Sequence, residues 1–371
     1  MTTDTPPSPA SLRPQPSLLL SSTEDVLGAV PYLVGFHPAD SLVVIGLRGN
    51  PPRSRLHLTV RWDLPLADPG LGRVVPLLAQ EGITQVVVVG YGPGPLVTPA
   101  VDLAVALFRH GDITLVEALR VEGGRYWSYL CSRADCCPID GTPYERKAGA
   151  VAAQAAVQGL VALPDRETLE RSLDSVGGSA RLAMRRATAR VTREMRDRLA
   201  GRGDGEFVAE FVAEGMARVH SAIDLYASGG RLDDEAAARL GLDLAVIRIR
   251  DEAWALAVGG TRSVHLGLWR DLTRRLEPRF VTPAASLLGV VAWCGGDSAL
   301  AGIALARARD IDPDYSMANL LTHALRHLLP PEVLNSRMPS SEELGREMGS
   351  PRMAWLLPMV ALLEEPEVPA G

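Results

Sequence analysis

Hydrophobic and polar positions divide this chain into two differently textured halves. Ser41-Leu-Val-Val-Ile-Gly-Leu47 is a short apolar run rich in β-branched residues and bounded by turn signals, which predicts a buried strand. From Arg55 to Leu64 the pattern alternates. Leu56, Leu58, Val60 and Trp62 point one way, and His57, Thr59, Arg61 and Asp63 point the other, so this strand is expected to carry a polar face. Thr84 to Val89 and Ile113 to Arg120 read as further strands, and Arg125 to Leu130 as a hairpin partner reached through Glu122-Gly-Gly124. Gly72 to Gln80 and Pro99 to Arg109 carry helical spacing. Ser21 and Glu24 have capping-box spacing and open a helix expected to stop near Pro31. Strands alternating with short helices predict an α/β layer with some parallel pairing.

After Thr142-Pro143 the texture changes to long helices. Ala148 to Leu160 and Arg166 to Leu173 come first, then Ser179 to Ala200, a helix with seven arginines whose apolar stripe is Met184, Ala187, Val191 and Met195. Gly201-Arg-Gly-Asp-Gly205 reads as a joint, followed by helices at Glu206 to Tyr226 and Asp233 to Leu240, the latter capped by Asp233. The expected fold is therefore an α/β N-terminal domain, a mixed sheet with flanking helices, followed by an all-α domain. By position, residues 1–16 form a disordered tail, 17–145 the α/β domain, 146–205 a helical connector with the arginine-rich helix, 206–335 the α-helical domain and 336–371 a tail with a short apolar helix. Within 282–315, Leu288-Gly289, Ala301, Ala308 and Pro313 fall at the spacings of a tetratricopeptide repeat, with a degenerate unit before it at Trp254-Ala255, Gly267 and Pro278. Helical hairpins of that type imply either a protein-binding surface or a compact helical domain that uses the same packing.

Composition narrows the partners. The 371 residues carry 38 basic and 44 acidic side chains, a net charge of −6, which does not suit a whole-molecule grip on nucleic acid. Lys147 is the one lysine, and the arginine bias reads as genome composition. Apolar runs such as Gln85 to Gly90 and Trp355 to Leu363 fall far short of the roughly 20 residues a bilayer needs. The start of the chain is proline-rich with no basic, apolar leader, and four cysteines are too few for a disulfide scaffold. A cytoplasmic protein without membrane contact is expected.

Four groups of residues could carry chemistry. Gly35-Phe-His-Pro-Ala-Asp-Ser41 brings an imidazole, a carboxylate and a hydroxyl onto one loop, so His37, Asp40 and Ser41 are the candidate catalytic residues. Equally, Asp40 and Ser41 could satisfy turn amides. Arg61 could clamp an anionic ligand with Asp63 holding it, and Trp127 is the third candidate ligand-binding residue. Gly90-Tyr-Gly-Pro-Gly94 lies between a strand and a helix, but its spacing departs from the dinucleotide fingerprint and its prolines remove amides, so it reads as a turn. Cys131, Cys136 and Cys137 offer three thiols without the second pair a zinc finger shows. They are expected to be reduced structural thiols, with a disulfide or a zinc site as alternatives; no cofactor is otherwise expected.

Two blocks, Val30 to Leu47 and Gly124 to Cys131 with Cys136-Cys-Pro138, resemble domain-of-unknown-function family 4192 of high-GC Gram-positive bacteria, as do Leu268-Trp-Arg-Asp271 and Asp312-Pro-Asp-Tyr315. The resemblance brings no activity with it, but it draws attention to the 35–41 loop and the 125–137 segment. The functional expectation is a binding or scaffold protein, with a small-molecule pocket in the α/β domain and a protein partner on the helical domain. The alternative is an enzyme that uses those two segments.

Overall fold

In the computed structural model the apolar run at Ser41–Arg48 is β1, and it lies inside a six-stranded sheet because both of its faces are covered. The structure describes residues 22–49, 54–66, 70–109, 112–145, 150–157, 161–200, 205–259, 261–336 and 338–364, so the tail to residue 16 lies outside them. The chain divides into two compact units, Met1–Arg166 and Glu167–Gly371.

The first unit runs α1 (Thr23–Val34), β1, β2 (Arg55–Asp63), α2 (Gly70–Gln80), β3 (Gln85–Tyr91), α3 (Gly94–Arg109), β4 (Thr114–Glu122), β5 (Arg125–Ser128), β6 (Thr142–Pro143) and α4 (Ala150–Val157). The strand order is β2-β1-β3-β4-β5-β6, and β3 with β4 is the parallel pair. Helix α3 makes the crossover between them, since a parallel connection needs a chain long enough to return. One face of the sheet packs Val43, Ile45, Val87, Val89, Leu119 and Val121 under Leu27, Val30 and Val34 of α1. On the opposite face Gly46 meets Leu78 and Ile83, and Gly90 meets Val97 and Val101.

Three details depart from the sequence pattern. The α1 capping box is Ser22 with Asp25, and Pro31 lies inside the helix, which ends at Gly35 in the left-handed conformation (φ 84°). Burial of Leu27, Val30 and Val34 offsets the hydrogen bond that proline removes. Helix α3 starts at Gly94, five residues before the predicted start at Pro99, because Pro95 occupies the first turn, where an amide has no intrahelical partner. In β2 the partners run Gly46↔Leu58 and then Leu47↔Leu56, so His57 is an extra, bulged residue. Leu56 therefore packs on the α1 side of the sheet, with the face that carries Arg61, whereas His57 reaches Glu81 beyond α2 at 3.2 Å. The expected shared face of His57, Arg61 and Asp63 is split at this point.

The second unit is helical: α5 (Arg166–Arg171, crossing the boundary), α6 (Gly178–Ala200), α7 (Gly205–Ala227), α8 (Asp234–Asp243), α9 (Ile247–Gly259), α10 (Arg262–Arg275), α11 (Pro278–Cys294), α12 (Ser298–Ile311), α13 (Ser316–Arg326), α14 (Pro331–Asn335), α15 (Ser341–Met348) and α16 (Leu357–Glu364). The predicted stripe Met184, Ala187, Val191 and Met195 is buried in α6. Its arginines are drawn into the unit: Arg181 and Arg185 reach Glu277, Arg190 reaches Glu235, and Arg198 reaches Glu214. Helices α11 and α12 form a hairpin turned at Gly295-Gly296, with Asp297 accepting the Leu300 amide as N-cap. A Cβ at Gly289 would lie 2.8 Å from Leu305 Cγ, so glycine lets these helices approach closely. No helix among the described residues is long and apolar enough to cross a membrane. The architecture is thus a mixed-sheet α/β unit followed by an all-α unit.

Candidate functional site

The pairing register gathers the 35–41 loop at one end of the sheet. Ser41 pairs with Asp63 on one side and Tyr91 on the other, and Tyr91 pairs with Val121. The first residue of β1 therefore sits at the carboxyl end of the parallel pair, where open α/β sheets place ligands. Ser41 is fully buried. Its hydroxyl donates to the Ala39 carbonyl at 2.5 Å and accepts from Arg61 Nε at 2.9 Å. Neither partner is a base able to take its proton, so Ser41 works as a structural link.

Arg61 also pairs with Asp63 and lies over the Phe36 ring, 5.2 Å from its centroid. Asp63 accepts a second guanidinium from Arg166 at 2.7 Å. Burial lowers the Arg61 pKa. Burial works to raise the Asp63 carboxyl, but Arg61 and Arg166 outweigh it and hold the group below its usual range. The clamp predicted at Arg61 is thus closed by groups of the chain itself. His37 is held through its backbone, its amide donating to the Leu163 carbonyl at 3.0 Å. Asp40 has a positive φ of 41°, its carbonyl accepts the Leu64 amide at 2.8 Å, and its carboxylate abuts Gly92.

Trp127 belongs to a different place. It pairs with Arg120 across β4 and β5, and the Arg120 guanidinium stacks on its ring at 3.9 Å. Its Nε1 donates to the Ile139 carbonyl at 2.9 Å, and Gly141 closes over the ring, leaving no room for a Cβ. Trp127 is therefore packed between the chain's own groups.

From here the segment 129–141 loops out and returns to β6. At its start Ser128 Oγ donates to Glu117 at 2.8 Å and accepts the amides of Leu130 and Cys131. At its end Arg125 donates to the carbonyls of Asp140 and Gly141. Between these anchors the Cys136 and Cys137 amides both donate to the Arg133 carbonyl. That turn brings the three sulfurs within 4.8 Å of one another, with Cys131–Cys136 at 3.1 Å and Cys136–Cys137 at 3.8 Å. The Arg133 backbone amide and the two neighbouring thiols lower the Cys131 pKa, while hydrogen bonding to Cys131 pushes Cys137 up to about 12. A cavity of about 370 Å³ lies elsewhere, at the C-terminal end of α3 and the start of β4, lined by Phe108, Arg109, Ile113, Leu115 and Leu130. None of the candidate site residues lines it.

A family model described as Domain of unknown function (DUF4192) matches residues 24–332. The chain belongs to the DUF4192 family. Neither the curated proteins nor the solved structures contain a match to it.

The DUF4192 match spans parts of both units, and the helical segments that carried the resemblance form polar hubs there. Asp271 of Leu268-Trp-Arg-Asp271 accepts from Tyr226 at 2.6 Å, from Arg275 at 2.7 Å and from Arg231, beside the fully buried Trp269. Tyr315 of Asp312-Pro-Asp-Tyr315 accepts from Arg250 at 3.2 Å. Sequence reasoning missed Arg120, Arg166 and Glu117. Glu117 and Arg120 had a visible signal, charged side chains in the predicted strand Ile113 to Arg120. Arg166 had none, because its partner Asp63 is more than a hundred residues away.

Proposed function

We propose that this DUF4192 protein binds a protein partner through the end of its helical unit and has no catalytic role in the 37–41 loop. The observation that carries the reading is the exposure of large apolar side chains in the segment after α12. Helix α13 buries Met317, Ala318, Leu321 and Ala324 but leaves Leu320 58% exposed, and Leu329 and Val333 follow at 44% and 39%. Three large apolar side chains exposed within fourteen residues of sequence are the kind of feature a protein partner would cover. The tetratricopeptide-like spacing of the α11–α12 hairpin supports the same reading, since α13 stands where another hairpin would stack. Against the enzyme reading, Ser41, Arg61 and Asp63 are engaged with one another. A small-molecule role for the α/β unit has its support at Asp40, beside Gly92, where a non-glycine residue holds a left-handed backbone. Free thiols fit a cytoplasmic location, and the arginine bias fits a high-GC bacterial source.

The test uses the intact protein as bait in lysate of its host, beside a Leu320→Glu/Val333→Glu variant. The captured protein is then purified and its affinity measured by calorimetry. The double variant is expected to keep the wild-type melting temperature and to bind at least about tenfold more weakly. Equal affinity for both forms overturns the assignment.

A further inference from the structure

We propose that the 129–141 loop binds one zinc ion through Cys131, Cys136 and Cys137. Zinc–thiolate bonds of about 2.3 Å in a tetrahedron set the sulfurs roughly 3.8 Å apart. Cys136 and Cys137 already stand at 3.8 Å, and the 3.1 Å pair needs only to open toward the same edge. Cys131 and Cys136 have four residues between them, within the ligand spacing of structural zinc sites. Adjacent Cys136 and Cys137 supply the third ligand because the turn on the Arg133 carbonyl tips both sulfurs toward Cys131.

The surroundings are those a thiolate site requires. The Arg133 amide donates to Cys131 Sγ, and the Cys131 amide is itself held by Ser128, which fixes the first ligand. Three thiolates on one zinc leave a net charge of −1, and the Arg133 guanidinium on the same loop is paired with Asp135 at 2.6 Å. Among the described residues the ligand group closes at three, so solvent completes the tetrahedron. Loading is a plain exchange in which three S–H bonds give up their protons and three Zn–S bonds form, with no change of oxidation state. The loop's anchors at Ser128, Trp127 and Arg125 involve no thiol, so the metal-free protein and its serine variants keep their sheet.

The experiment titrates the full-length protein, held under a phosphine reductant, with Co2+ and then with Zn2+. The expected result is a thiolate-to-cobalt charge-transfer band that saturates at one equivalent and is abolished by zinc. Release of about three protons per zinc is expected in weak buffer. Cys131→Ser, Cys136→Ser and Cys137→Ser are each expected to weaken cobalt binding by at least roughly a hundredfold, the upper end of what loss of a hydrogen bond supporting a ligand costs. Absence of the band, or a band unchanged in any one of the serine variants, overturns the three-thiolate site. Circular dichroism confirms that the variants remain folded.

Discussion

Replacing Trp269 by alanine is expected to destabilise the helical unit by about 3–5 kcal/mol, the range for truncating a fully buried tryptophan. Trp269 sits on α10 with no exposed surface and stacks obliquely on His265, their ring centres 6.4 Å apart. Its neighbours Leu268 and Leu272 are also buried, so the space it vacates is walled by packed side chains that collapse only in part. Urea unfolding followed by far-ultraviolet circular dichroism reads the effect as a fall in the midpoint of the helical transition. Trp269→Phe keeps most of the volume and should fall much less. An alanine variant with the wild-type midpoint would falsify the placement of Trp269 in this core.

Asp271→Ala should cost about 1.5–3 kcal/mol near neutral pH, because it takes the charged acceptor from Tyr226 and Arg231 and leaves the buried Arg275 with Asp234 and the Leu232 carbonyl alone. The effect depends on pH with a definite sign. Burial works to raise the Asp271 carboxyl, but Arg231, Tyr226 and Arg275 outweigh it and depress its pKa. A carboxylate depressed on folding contributes fully above its unfolded pKa of about 3.9 and loses that contribution as pH falls through the lower folded value. The gap in stability between wild type and Asp271→Ala is therefore expected to be constant above about pH 5 and to narrow below about pH 4. Denaturant midpoints collected across that range check it. A gap that widens on acidification contradicts an ionised Asp271.

Both effects come from a segment that the sequence flags only through its resemblance to the family. The spacing of Trp269 and Asp271 shows that they leave α10 in different directions, but not that Asp271 meets Tyr226, Arg231 and Asp234's partner Arg275 in one network. The sheet behaves likewise. Local pattern identifies β1 and β3 because a strand buried on both faces must be continuously apolar. The bulge at His57 has no such signature, since it arises from the pairing of β1 with β2. It is this pairing that decides which β2 side chains lie beside Arg61.

For the candidate site the division is sharper. Loop 35–41 is recognisable because Gly, Pro and Asp mark a turn before a strand, yet its hydroxyl becomes a structural link only once Arg61 crosses from β2. The cysteines are visible as three thiols in seven residues, an arrangement that four-ligand spacing rules do not favour. Their convergence depends on a turn around the Arg133 carbonyl and on anchors from β4 and β5.

By itself, then, the sequence determined the two-part architecture, the strands buried on both faces, the apolar stripe of α6 and the family. These follow from periodicity and turn chemistry, which act between residues close in the chain. Only the tertiary structure decided that Arg61 and Asp63 neutralise each other with Arg166, that Trp127 is closed between Arg120 and Gly141, and that three sulfurs meet. Each of these rests on contacts that strand register and loop return create, and on which local propensity has no bearing.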